Sequence, residues 1–266
     1  MNKDYTQSSI SWIGSENSFL DNPTVDKLNH ITIGRYGGNT TVNANKNEDG
    51  LLIWSCPEKT WEFVVLLDAH SSSESAELII NSLNNNKESI FSIMEGPVEI
   101  LFNTIEEHIL GIFKSEEFIT ACRSVKGESS CLICVRKENY LWWLSVGDCM
   151  LFILHPDLIN MGQTLLNQRN FYEWIGRVNT FELTIPCFSS GCRELRTGSN
   201  FITAVTDGYL HNDLNINSIL DIYNGEDLSE SVGSFLTKLH HEQTIDSTTV
   251  IAWCVENDKT AAKPSK

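Results

Sequence analysis

Apolar residues recur along this chain in two rhythms. Short runs rich in β-branched and aromatic side chains predict strands over Leu51 to Ser55, Trp61 to Leu67, Ser130 to Arg136, Tyr140 to Val146, Cys149 to Leu154, Phe201 to Thr206 and Thr248 to Val255. Lys-Glu-Asn after Arg136 and Gly147-Asp148 after Val146 are turn-length connections, so residues 130–154 predict a three-stranded antiparallel meander. Steps of three and four residues predict helices over Pro97 to Lys114 and Leu228 to His241. A further helical stretch, 74–93, is weakened in its middle by Asn84-Asn85-Asn86. Strands on both sides of a central helical pair, joined by short connections, predict a layered α+β domain rather than a doubly wound parallel sheet. Neither a fixed-period repeat nor a Pro/Gly/Ser-rich linker divides the chain, which predicts one domain over 11–256 with loose tails at 1–10 and 257–266.

The 266 residues are 41% apolar, enough for a sizeable core without staples. Asp and Glu total 35 against 19 Lys and Arg, a formal charge of −16 that repels nucleic acid and anionic lipid, so neither is expected as a partner. No apolar run is long enough to span a membrane. The first thirty residues include Lys3, Asp4, Glu16, Asp21 and Asp26 and lack the apolar core of a secretory signal, so a cytoplasmic address is expected. The 8 cysteines are scattered and read as reduced thiols. In the one Cys-x-x-Cys, strand alternation puts Cys131 and Cys134 on opposite faces, which argues against zinc.

The chemical signal lies where hydrophobic strands stop. Glu-Phe-Val-Val-Leu-Leu runs into Asp68, Leu-Trp-Trp-Leu-Ser-Val-Gly into Asp148, and Asn-Phe-Ile-Thr-Ala-Val-Thr into Asp207, while Asp246 introduces the last strand. One such aspartate is usually a turn cap. A set of them on one sheet edge repels itself unless protonated or bridged by cations, and hard divalent ions such as Mg²⁺ or Mn²⁺ meet that need.

In order and spacing, these segments resemble the metal-dependent phosphatases of the protein phosphatase 2C family over about residues 34 to 255. Asn47-Glu48-Asp49-Gly50 resembles the family's Glu-Asp opening, Asp68-Ala69-His70-Ser71-Ser72 its Asp-Gly-His-Gly-Gly, and Glu128-Ser129-Ser130-Cys131 its Gly-Ser-Thr-Ala. Val146-Gly147-Asp148-Cys149 resembles Val-Gly-Asp-Ser, Thr206-Asp207-Gly208-Tyr209 resembles Ser-Asp-Gly-Leu, and Asp246-Ser247-Thr248-Thr249-Val250-Ile251 resembles Asp-Asn-Met-Thr-Val-Ile. The resemblance implies a four-layer α-β-β-α sandwich of two antiparallel sheets, with a two-metal Mg²⁺ or Mn²⁺ site at one edge. It also implies hydrolysis of phosphoserine and phosphothreonine in phosphorylated protein substrates. Asp68 would bridge both ions, the Ala69 carbonyl would ligate one, and Asp207 and Asp246 would hold the other. Glu48 and Asp49 would order water, Asp148 would help hold a weaker third ion, and His70 would protonate the departing oxygen. Ala69 in place of the family's glycine suits the role if only its carbonyl is used and its φ stays negative.

Ala44 stands where the family places an arginine whose fork holds the substrate phosphate. Lys46 is the nearby replacement, as a point charge without bidentate geometry; Arg35 is a second. His211, with Asp213 beside it, occupies the place of a further metal-binding aspartate. The segment 155–200, carrying Trp174, Arg177, Arg193 and Arg196, is a candidate substrate-selecting flap. These departures keep a second expectation open, a catalytically weak or inactive phosphatase-like signalling or binding module.

Overall fold

The structure is a computed structural model that describes residues 8–56, 58, 60–210 and 218–263. Along Trp61–His70 (β5) and Glu128–Lys137 (β6), side chains alternate between two cores. Phe63, Val65, Leu67, Cys131, Ile133 and Val135 face helices, whereas Val64, Leu66, Leu132 and Cys134 face another sheet. The period-two pattern is thus buried on both faces, and the two cysteines of the Cys-x-x-Cys do lie on opposite sides.

The first sheet has seven strands. Its order is β1 (Ser8–Ile13), β4 (Gly50–Ser55), β5, β6, β7 (Tyr140–Val146), β10 (Ser189–Glu194), with the short β9 (Ile175–Gly176) also pairing β6. The second has five, ordered β2 (Thr24–Leu28), β3 (Ile31–Tyr36), β12 (Thr248–Asn257), β11 (Gly198–Val205), β8 (Met150–Leu154). All described pairings are antiparallel. Helices α1 (Glu74–Asn85), α2 (Lys87–Glu95), α3 (Val98–Phe113) and α4 (Glu116–Ser124) cover the outer face of the first sheet. The short α5 (Pro156–Asn160) follows β8, and α6 (Ile219–Tyr223) and α7 (Leu228–His241) cover the second through Ile219, Ile222, Val232, Phe235, Leu236 and Leu239. α7 begins where Asp227 accepts from the Ser229 and Glu230 amides and ends on Lys238, His240 and His241, which complement its dipole. The layers are therefore α-β-β-α, the architecture expected from the sequence. Among the described residues the first strand starts at Ser8, and beyond β12 the Ala261 and Ala262 amides donate to Thr197 and Glu194.

Two expectations are corrected. Residues 130–154 are not a meander: β6 and β7 pair, but β8 belongs to the second sheet, beside β11. Gly147, at φ +86°, redirects the chain there, and a Cβ on it would sit 2.1 Å from the Ser130 hydroxyl oxygen. The stretch 74–93 is two helices separated at Asn86, whose backbone (φ −102°, ψ 10°) leaves the helical path.

Candidate active site

Strand register gathers the acids. Gly50, directly after Asp49, pairs with Leu67, directly before Asp68; Asp68 itself pairs with Ser130. Val146, two residues before Asp148, pairs with Cys131. In the second sheet Val205 pairs with both Met150 and Val250, so the ends leading to Asp148, Asp207 and Asp246 coincide. All five aspartates therefore emerge at one end of the sandwich.

Asp49 is the most enclosed, 1% exposed. Ser247 Oγ donates to its Oδ1 at 2.8 Å, and Thr249 and Thr206 hydroxyls donate to Oδ2 at 2.6 and 3.3 Å. Burial pushes its carboxyl up to about 7, against the lowering effect of these donors and with some help from Asp246. Asp68, also buried, is held well above the usual carboxylate range by burial first and then by Asp49, Asp207, Asp246 and Asp148. Asp207 is raised by burial and by Asp148 and Asp246, and it shares a hydrogen bond with Asp68.

A cleft of about 390 Å³ is lined by Asn43, Ala44, Asn45, Lys46, Glu48, Asp68, Ala69, His70, Ser71, Ile245, Asp246 and Ser247; of the five aspartates, Asp68 and Asp246 line it, and Asp49, Asp148 and Asp207 do not. The His70 ring meets Trp174 edge to face at 4.7 Å, which brings the candidate flap to the cleft. Ala69 keeps a negative φ; the positive value falls at Ser71, φ 71°. Lys46 is ion-paired to Glu48, so its charge is already engaged. Arg35 points elsewhere, paired to Asp26 and packed on Phe19 and Trp12. Arg193 and Arg196 are likewise turned to Gln163, Asp157 and the Ala262 carbonyl. His211 and Asp213 lie outside the described residues.

Sequence reasoning missed Arg169. Its guanidinium reaches Asp207 Oδ2 at 3.4 Å and Asp148 Oδ2 at 4.0 Å, and its Nε donates to the Asp148 carbonyl at 3.2 Å. It sits in irregular chain with no periodicity, and only its positive charge between two acid-bearing strands could have pointed to it.

Among the described residues, no three carboxylate, imidazole or thiol groups are close enough to hold an ion as their side chains stand. The donor chemistry and charge nonetheless suit hard divalent ions. Six carboxylates (Glu48, Asp49, Asp68, Asp148, Asp207, Asp246) face two cations, Lys46 and Arg169, leaving four negative charges, the number that two divalent ions carry.

No family model and no curated protein matches the sequence. Solved structures do match the fold. The serine/threonine phosphatase Stp1 from Staphylococcus aureus superposes with a TM-score of 0.63 at 14% identity, over 88% of this chain and 97% of that one. RsbX in complex with magnesium gives 0.56 at 12%, over 88% and 100%. The catalytic domain of the serine threonine protein phosphatase PstP in complex with 2 manganese ions gives 0.52 at 15%, over 94% and 100%. This chain has the fold of the protein phosphatase 2C family.

Proposed function

We propose that the protein is a metal-dependent phosphatase that hydrolyses phosphoserine and phosphothreonine monoesters in proteins, with Mg²⁺ or Mn²⁺ as cofactor. The observation that carries this reading is the convergence of strand-end carboxylates from both sheets at one end of the sandwich, with Asp68 and Asp246 lining one cleft, on the fold of known serine/threonine phosphatases. Asp68, the Ala69 carbonyl, Asp207 and Asp246 are the ligands this reading assigns to two ions, with Glu48 and Asp49 orienting water. Bound there, the ions acidify water and neutralise charge on the phosphoryl oxygens. The protein's own contribution is positional. Three hydroxyls fix Asp49, and Asp68 is held in register opposite Ser130 of β6, one residue beyond the Leu67–Gly50 pair with β4. His70, on the cleft wall against Trp174, gives a proton to the departing serine or threonine oxygen.

The phosphate contact is the weak point. Lys46 is the one lysine or arginine among the described residues lining the cleft, it is paired to Glu48, and Ala44 offers no charge. That observation favours the second reading, a catalytically weak or silent module on the same fold. Turnover of p-nitrophenyl phosphate and a phosphoserine peptide during Mn²⁺ titration separates the two. Metal-dependent turnover, lost in EDTA and in Asp68→Asn, supports the enzyme; no turnover with saturating Mn²⁺ supports the module.

A further inference from the structure

We infer that Arg169 is a built-in cation occupying the Asp148–Asp207 pair, where it takes the place of a third divalent ion and limits this chain to two. The inference rests on the phosphatase reading for the identity of the other two ions. The sequence leaves open a weaker third ion involving Asp148, yet the structure puts a guanidinium there.

The Arg169 side chain is only 20% exposed and faces both acids, while its Nε is committed to the Asp148 carbonyl. The ring of Phe171, itself exposed, faces the guanidinium with its centroid 4.8 Å away, a cation–π contact that adds to the two acids. Arginine stays charged throughout the working pH range. A divalent ion entering between Asp148 and Asp207 would have to expel or sit against this fixed positive charge. The tethered group also has no capture step, because the chain itself supplies its local concentration. Unlike a metal ion, a guanidinium only donates hydrogen bonds and binds no water as a Lewis acid. Arg169 therefore orients the two acids without adding an activated water to the site.

The test counts ions, not turnover. Mn²⁺ is titrated into the full chain at millimolar concentrations, with bound metal followed by calorimetry and free Mn²⁺ by electron paramagnetic resonance. Arg169→Gln is expected to bind one more Mn²⁺ per chain than wild type, and Arg169→Lys the same number as wild type. Adding Asp148→Asn to Arg169→Gln should remove the gained ion, and Arg123→Gln, a surface change at the exposed pair with Glu182, should leave the count alone. Arg169→Met, whose stem can still pack on Phe171, is counted in parallel so that the result does not depend on one variant folding. An unchanged count in both Arg169→Gln and Arg169→Met overturns the inference, as does a gained ion that survives Asp148→Asn. The readout is a difference between variant and wild type. Wild type binding no metal while Arg169→Gln binds one would sink the phosphatase reading and uphold the built-in cation; two ions in each would do the reverse.

Discussion

Ser130 and Asp148 exchange two hydrogen bonds: the hydroxyl donates to Asp148 Oδ1 at 2.6 Å and accepts from the Asp148 amide at 3.1 Å. The pair joins the start of β6 to the point where the chain leaves the first sheet, so one side chain fixes both the acid and the crossing.

Ser130→Ala should therefore cost about 1–3 kcal/mol, the usual penalty for stranding a buried polar group. Urea unfolding measures it directly. A midpoint equal to wild type would show that water replaces the hydroxyl without loss.

His70→Ala should discriminate between substrates. A general acid matters when the departing oxygen is a poor leaving group, so a phosphoserine peptide should lose about 10²-fold or more in turnover. p-Nitrophenyl phosphate should lose markedly less, because its phenolate leaves unaided. Equal losses on both would assign His70 to positioning instead.

Stability of the metal-free protein should fall as pH rises from about 5 to 8. The folded carboxyls of Asp49, Asp68 and Asp207 titrate above their unfolded value of 3.8, and Asp49 does so at about 7. In that window the folded state holds protons that the unfolded chain has released, so their contribution is complete below the unfolded value and is lost as the folded groups ionise. Thermal melts in EDTA at pH 5.5 and 8 test the sign, and saturating Mn²⁺ should flatten the slope. A melting temperature that rises with pH in EDTA would contradict the buried-acid picture.

Two neighbouring substitutions should have opposite signs. Ser71 holds φ 71°, a region that costs a non-glycine residue about 1–2 kcal/mol, so Ser71→Gly should stabilise, by less than that because glycine loosens the unfolded chain. Ala69 lies in β5 with negative φ, and Ala69→Gly should destabilise by roughly 0.5–1 kcal/mol. Chemical denaturation of both variants decides it. A stabilising Ala69→Gly would mean that the bend sits two residues earlier.

The parts legible in the sequence were those with strong local rhythm. β5, β6, α3 and α7 have long apolar periodicities and were expected within a few residues of where they lie. The strand-end aspartates were legible as a set, because only a long apolar run ending in an acid fixes both strand and position. β2, with the sequence Thr-Val-Asp-Lys-Leu, and β10, with Ser-Ser-Gly-Cys-Arg-Glu, are sheet edges with half-solvated faces, and little in them marks a strand. α4 did carry a signal: Ser115 caps it, Glu116 and Glu117 fill its first turn and Arg123 its last. The change of sheet at Gly147 was beyond reach, since a glycine-aspartate pair turns a hairpin and a crossing with the same residues. Arg169 was equally hidden, because its partners are fixed by register between strands far apart in the chain.

The hydroxyl of Ser247 that holds Asp49 lies 198 residues downstream of it. While the polypeptide is still being made, Asp49 and Asp68 leave the ribosome long before the strand that seats them, and no local contact can stand in for it. The cleft is thus completed only when the stretch carrying Ser247 and Thr249 arrives. A chain that stops short of β12 carries the acids of the first sheet without the hydroxyls that hold Asp49, and any chemistry of the cleft is withheld from it.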